Sequence, residues 1–142
     1  AFKSLNVFIK DFKEDKKEVV KALNLLKKNG NLIINVPAFS YLYSKFDKDV
    51  GHFKRYTKSS FVKELLLIKP KKVKMFYYDL LGYFLSLVSQ LLFLVSKKYK
   101  KNYKEDFESK IKLWNYLIPI SKILDKCAIN SFGKSLFIVI NK

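Results

Sequence analysis

His52 and Arg55 are the single histidine and the single arginine of the chain, and every other cation is a lysine. They stand three residues apart in a polar and aromatic stretch, Asn35 to Thr57, that reads NVPAFSYLYSKFDKDVGHFKRYT. An imidazole exchanges protons near neutrality or hydrogen-bonds a ligand. A guanidinium offers a planar fork for a carboxylate or a phosphate. Asp47, Asp49, Lys54 and Tyr56 complete the set of groups in this stretch that could do chemistry. Two readings stand side by side, since ion pairs and ligand sites draw on the same residues. In one, Asp47 pairs with Arg55 and His52 caps the helix that follows. In the other, these groups face a ligand. One histidine among scattered acids does not make a metal site. No Ser/His/Asp arrangement can be argued from the spacing, and the four glycines are isolated, so no glycine-rich phosphate or dinucleotide loop is present.

Such a stretch needs elements to hold it. Asn31-Leu32-Ile33-Ile34 directly precedes it, and Leu32 to Val36 reads as a β-branched strand closed by Pro37. Loops that leave the ends of strands are where α/β proteins keep their chemistry. Upstream, Phe2 to Ile9 suits a strand. Lys13 to Lys28 places Val19, Val20, Leu23 and Leu26 at helical spacing, with Glu14 and Asp15 at its start and Lys27-Lys28 at its end. Asn29-Gly30 is the expected left-handed stop. The first third therefore reads strand, helix, strand, a right-handed parallel crossover. Downstream, Thr57 or Ser59 can cap a helix reaching about Ile68, with Phe61, Val62, Leu65 and Leu66 on one face. Val73 to Tyr78 and Ser135 to Ile140 are two further strands, the last preceded by the turn signal Phe132-Gly133-Lys134.

At 142 residues, 49% hydrophobic and 16% aromatic, the chain is one domain or part of one and has the material for a core. The formal net charge of +17 would attract polyanions, but the cations are scattered and nearly all are lysine. Nucleic-acid readers recruit arginine, and no nucleic-acid-binding motif is present, so nucleic acid is not the expected partner. The one cysteine, Cys127, excludes an internal disulfide framework and reads as a small buried helix residue. Ala1 to Lys10 lacks the apolar core of a secretory signal, and a reducing cytoplasm is the default location.

Between the last two strands, residues 79–131 read as a helical insertion. Residues 1–78 and 132–142 would form the sheet portion of a single partial domain. Leu80 to Ser96, LLGYFLSLVSQLLFLVS, carries no charge. Its length sits at the lower edge of the roughly 17–25 residues that span a bilayer. Tyr77-Tyr78 flank one end, and Lys97, Lys98, Tyr99, Lys100, Lys101 and Tyr103 flank the other, as at a membrane interface. Burial in the domain or against a second copy is the first expectation and peripheral membrane contact through 80–96 the second. A spanning helix is the least expected, because strands on both sides must return to one sheet. Trp114 to Cys127 is a second amphipathic segment, interrupted by Pro119, expected to pack on the first.

Two segments carry a family resemblance. Leu25 to Ala38, LLKKNGNLIINVPA, resembles the LLKPGG-x-L-I-I-x-VPA segment of class I S-adenosylmethionine-dependent methyltransferases. The more specific match continues through Leu42-Tyr43-Ser44, Asp47, Gly51-His52 and Arg55-Tyr56-Thr57. It is similar to the LYS…D…GH-x-RRYT loop of one subgroup. The resemblance reaches back to Leu5-Asn6-Val7 and forward to Ser135 to Ile140.

It implies a Rossmann-like α/β fold in which this chain supplies strands four to seven, the C-terminal half of a seven-stranded sheet. The last strand would be antiparallel and inserted beside its neighbours, with the helical insertion before it. It implies S-adenosylmethionine as cofactor, touched here by Asn6 and Val7. The family's glycine-rich loop after strand one and its acid after strand two have no counterpart in this chain. Where the subgroup has Leu-Glu-His after Asn6-Val7, this chain has Phe8-Ile9-Lys10. A fragment, a split subunit or a decayed copy is the implied status, its other half supplied by another chain or a homodimer. By the same resemblance the loop faces a small-molecule or lipid-linked methyl acceptor. Asn35, Pro37, Ala38, Asp47, Arg55 and Tyr56 would contact it, and His52 would take its proton. The competing expectation is a non-enzymatic basic module that associates with membranes or acidic partners.

Overall fold

The computed structural model describes residues 2–8, 12–65, 70–95, 103–127 and 130–142. Four strands form one mixed sheet: β1 (Phe2–Phe8), β2 (Leu26–Pro37), β3 (Lys72–Tyr78) and β4 (Ser135–Asn141). Their spatial order is β1-β2-β4-β3. β1 and β2 run parallel, and β4 runs antiparallel to both β2 and β3. The C-terminal ends of β2 and β3 therefore share an edge with the start of β4. Residues 9–11, which include Ile9 and Lys10 of the expected first strand and its sequel, lie outside the described residues.

The core follows from strand alternation. Leu32, Ile34 and Val36 of β2 stand opposite Ile140, Ile138 and Leu136 of β4, and all six are buried on one face. Val19, Ala22 and Leu23 of helix α1 (Phe12–Leu25) and Phe61 of α3 (Lys58–Leu65) join that cluster, with Val73, Met75 and Tyr77 of β3 packed at its border. The α1 face is rotated from the expected one, since Ala22 is inside and Val20 is exposed. Val62 likewise points outward while Phe61 is fully buried. The expected helix end at Ile68 lies outside the described residues.

The boundary between α1 and β2 differs from expectation. The helix stops at Leu25, and Leu26 is already in the sheet, paired with Phe2 and buried. Asn29 does adopt the left-handed conformation, φ 63°, but inside a sheet irregularity between the Phe2–Leu26 and Ser4–Asn31 pairs. The reason is the partner available. Asn29 N donates to Lys142 O at 3.2 Å and Lys142 N to Gly30 O at 3.0 Å, so Lys142 takes these groups into the sheet.

Between β3 and β4 the described residues form two helices, α4 (Leu80–Val95) and α5 (Tyr103–Cys127). The two helices pack together, and Asp125 of α5 accepts the amides of Asp79 and Leu80 at 3.1 and 2.8 Å, closing the open N-terminus of α4. Pro119 does not interrupt α5, which runs through it. Ser96 to Lys101 lie outside the described residues, as does the Cys127 side chain. Among the described residues no helix is long and apolar enough to cross a membrane.

Candidate functional site

The Asn35–Thr57 stretch leaves the C-terminal end of β2 and folds back on itself. Tyr56 N donates to Pro37 O at 2.8 Å and Phe39 N to Tyr56 O at 3.0 Å, making a parallel bridge between Ala38 and Tyr56. Ala38 N also donates to Lys134 O at 2.8 Å, tying the base of the loop to the start of β4. Both loop ends are thus anchored in the sheet edge.

Inside the loop lies a buried ion pair. Arg55 Nε donates to Asp47 Oδ1 at 3.0 Å and Nη2 to Oδ2 at 3.1 Å, with the two side chains 3% and 1% exposed. Nη1 donates to Ala38 O at 3.0 Å. Asp47 in turn accepts the amide and hydroxyl of Ser44 at 2.8 and 3.0 Å, the capping box of the short helix α2 (Lys45–Asp49). A buried carboxylate and guanidinium persist only when satisfied in this way. Arg55 and Asp47 therefore shape the loop: every nitrogen of the fork already has an acceptor within the protein. Asp49 is exposed at the end of α2.

His52 is held by its backbone. Its amide donates to Asp47 O at 2.7 Å, and its carbonyl accepts the Tyr43 hydroxyl at 2.9 Å. It does not cap α3. Thr57 does so, with Oγ1 accepting the Ser60 amide at 3.2 Å and Thr57 N donating to the Ser60 hydroxyl at 2.9 Å. The His52 ring is left with Nδ1 buried and without a hydrogen-bond partner in the described structure. Asn35 Oδ1 is in the same condition. Asn35 sits between Phe8 of β1 and Phe137 of β4. Orphaned buried polar atoms are few in folded proteins and call for a reason. Tyr56 is buried edge-on to Phe61, ring centroids 5.9 Å apart, with the Lys54 ammonium 5.0 Å over its ring. Asn6 and Val7 lie on β1 opposite Ile33 and Ile34.

The structure gathers His52, Asp47, Arg55, Tyr56 and Ala38 into one folded loop, with Asn35 and Pro37 on the strand beneath. It also brings in residues that the sequence did not single out. Phe39, at the non-glycine φ of 60°, stacks on Tyr77 at 4.6 Å and meets Tyr83 at 5.6 Å and Phe132 at 6.2 Å. A positive φ in an aromatic residue persists only where its surroundings hold it. The Tyr41 and Tyr83 hydroxyls share a hydrogen bond of 2.8 Å. Desolvation at the shared hydroxyl, and then Tyr83, raise the Tyr41 phenol above its ordinary value, although the side chain as a whole is 53% exposed.

Lys134 and Asp79 are the other additions. Lys134 N donates to Asp79 O at 3.0 Å, and the Lys134 ammonium lies 5.9 Å from the Phe46 ring. Burial lowers the Lys134 pKa, and Arg55 adds to this against the opposing pull of Asp79 and Asp47. Burial raises the Asp79 carboxyl, partly offset by the Gly82 amide and Lys134. The available signal was positional, since Asp79 directly follows β3 and Lys134 directly precedes β4, both at the edge where α/β sites form.

S-adenosylmethionine, which the resemblance implies, does not fit the residues present here by themselves. A cofactor cradle uses glycines to let backbone approach the ligand. Gly82 and Gly133 instead make room for this chain: a Cβ on either would collide with the Asp79 carboxyl or the Tyr78 backbone. Gly51, at φ 81°, serves a turn and has open space about it.

No family model and no curated protein matches the chain. A solved structure with a similar chain path is a SAM-dependent methyltransferase from Archaeoglobus fulgidus, 18% identical with a TM-score of 0.44. The likeness covers 96% of this chain, which spans 58% of the length of that one.

Proposed function

We propose that this chain is the acceptor-facing portion of an S-adenosylmethionine-dependent methyltransferase, with the cofactor-binding half contributed by another chain or a second copy. The observation that carries this reading is topological. β4 runs antiparallel between β2 and β3, the arrangement implied by strands four to seven of the resembling family. The Gly51-His52…Arg55-Tyr56-Thr57 stretch folds back onto the end of β2, which supports reading it as the acceptor-side loop.

When bound, the cofactor supplies an electrophilic methyl group, and the residues described here shape and line the acceptor side. Methyl transfer depends on alignment and a dry pocket more than on strong acids or bases. The Asp47–Arg55 pair holds the loop in one shape. His52 Nδ1 is buried and without a partner in the described structure, and on entry of the acceptor it takes a proton or hydrogen bond from the acceptor hydroxyl. Asn35 Oδ1 offers a second acceptor on the strand below. The acceptor is a small or lipid-linked molecule.

The test is to read the DNA upstream of the codon for Ala1 for a strand followed by a Gly-x-Gly loop, and to co-express that segment with this chain. The expected result is calorimetric binding of S-adenosylmethionine by the pair and only weak binding by the chain alone. Submicromolar binding by the chain alone, or a co-expressed pair that binds none, overturns the proposal.

A further inference from the structure

α4 is half-embedded. Gly82 and Tyr83 are buried, and Ser86, Leu87 and Gln90 are partly covered, with the Gln90 side-chain amide donating to Tyr41 O at 3.0 Å. The opposite face consists of Phe84, Leu85, Val88, Leu91 and Leu92, each between 43% and 61% exposed. Their spacing of one, four, seven and eight residues defines a single helical stripe. No residue of α4 is charged. Exposed apolar residues scattered singly are ordinary, but a contiguous stripe marks an interaction surface.

We propose that this outer face of α4 docks on an anionic lipid bilayer, with the helix lying in the plane of the interface. Sixteen residues fall short of the ~20 that span the hydrocarbon core, so in-plane insertion is the contact the helix length permits. The charge carried by the sequence of this region suits anionic headgroups. Residues 79–131 hold nine lysines against five acidic residues, and Lys97, Lys98, Lys100 and Lys101 directly follow α4 in the sequence. Lys112, Lys122 and Lys126 are exposed on the partner helix α5. Each lysine near such a surface adds about 1 kcal/mol of attraction. A second copy is the poorer occupant, because it brings another +17 to the same place.

The test uses the full chain with phosphatidylcholine vesicles, with and without phosphatidylglycerol. The chain is expected to co-sediment with the anionic vesicles and to retain part of that binding at high salt. The double variant Leu85→Gln/Leu91→Gln keeps the charge and is expected to lose the salt-resistant part, a fall in partitioning of about tenfold or more. Val88→Gln/Leu92→Gln repeats the test should the first variant melt early. Equal recovery in the supernatant with and without vesicles overturns the proposal. So does unchanged partitioning of both variants, which would assign the binding to lysines alone. A lipid-free dimer at sedimentation equilibrium that these substitutions dissociate would make the face a self-interface and overturn it as well.

Discussion

Asp47 and Arg55, eight residues apart, meet fork to fork inside the loop, with Nε–Oδ1 at 3.0 Å and Nη2–Oδ2 at 3.1 Å. The pair joins the short helix α2 to the last turn of the loop, and the third guanidinium nitrogen reaches back to Ala38 at the end of β2. One side chain thereby fixes both the width and the closure of the loop. Removing one partner leaves a buried charge alone. Arg55→Met and Asp47→Leu are each expected to cost about 3–5 kcal/mol in urea denaturation, and the double variant is expected to recover most of that loss. Arg55→Lys cannot reproduce the fork and is expected to fall with the disruptive single changes.

His52 behaves differently, because the hydrogen bonds that tie it to the loop are made by its backbone atoms. His52→Ala is expected to shift stability by less than about 1 kcal/mol. In the co-expressed enzyme it is expected to lower turnover by about a hundredfold or more, the usual contribution of a general base. Unchanged kinetics would reduce His52 to a loop residue.

Gly133 lies against the backbone of Tyr78, and a Cβ there would stand 2.6 Å from Tyr78 N. Backbone cannot give way as a flexible side chain does. Gly133→Ala is expected to destabilise by about 1–3 kcal/mol or more, read as a lowered Tm. Gly51→Ala meets no atom and should cost only the left-handed conformation, about 1–2 kcal/mol.

The buried Lys134 makes stability depend on pH. Its folded pKa is lowered from 10.5, so between the two values the unfolded chain binds more protons than the native one. Stability contributed by this group therefore rises with pH through that window, up to 10.5. Asp79 works on the acid side. Its carboxyl is raised from 3.8, the native state holds the extra proton, and its contribution falls as pH climbs through that window. Melting curves of the wild type and Lys134→Met across alkaline pH check the first effect. The variant is expected to show a smaller rise, and parallel curves would contradict the assignment.

Thr57→Ala removes the hydroxyl that accepts the Ser60 amide and is expected to cost about 1 kcal/mol, with Thr57→Ser close to neutral. The site is exposed, so denaturation should report the cap with little added packing loss.

Much of the frame was legible in the residues. The alternation of Leu32, Ile34 and Val36, the period of α1 and the Thr57 cap are local signals, and the elements they announce are present. Boundaries were less legible where a distant residue competed. Asn29-Gly30 has the chemistry of a helix stop, yet Lys142, far along the chain, draws it into the sheet. Local propensity carries no information about such a partner. The same limit applies at Val20 and Val62, whose burial depends on where the sheet lies.

By itself the sequence determined which groups are available for chemistry: one imidazole, one guanidinium, their spacing from Asp47, and the strand that presents them. It left open whether Asp47 and Arg55 answer each other or a ligand. Tertiary structure decided that point, because folding Tyr56 back onto Pro37 brings both charges out of water together, where each needs the other. It also singled out Lys134 from the other lysines and left His52 Nδ1 without a partner. Those outcomes arise from burial, which is set by how distant segments pack and not by any residue alone.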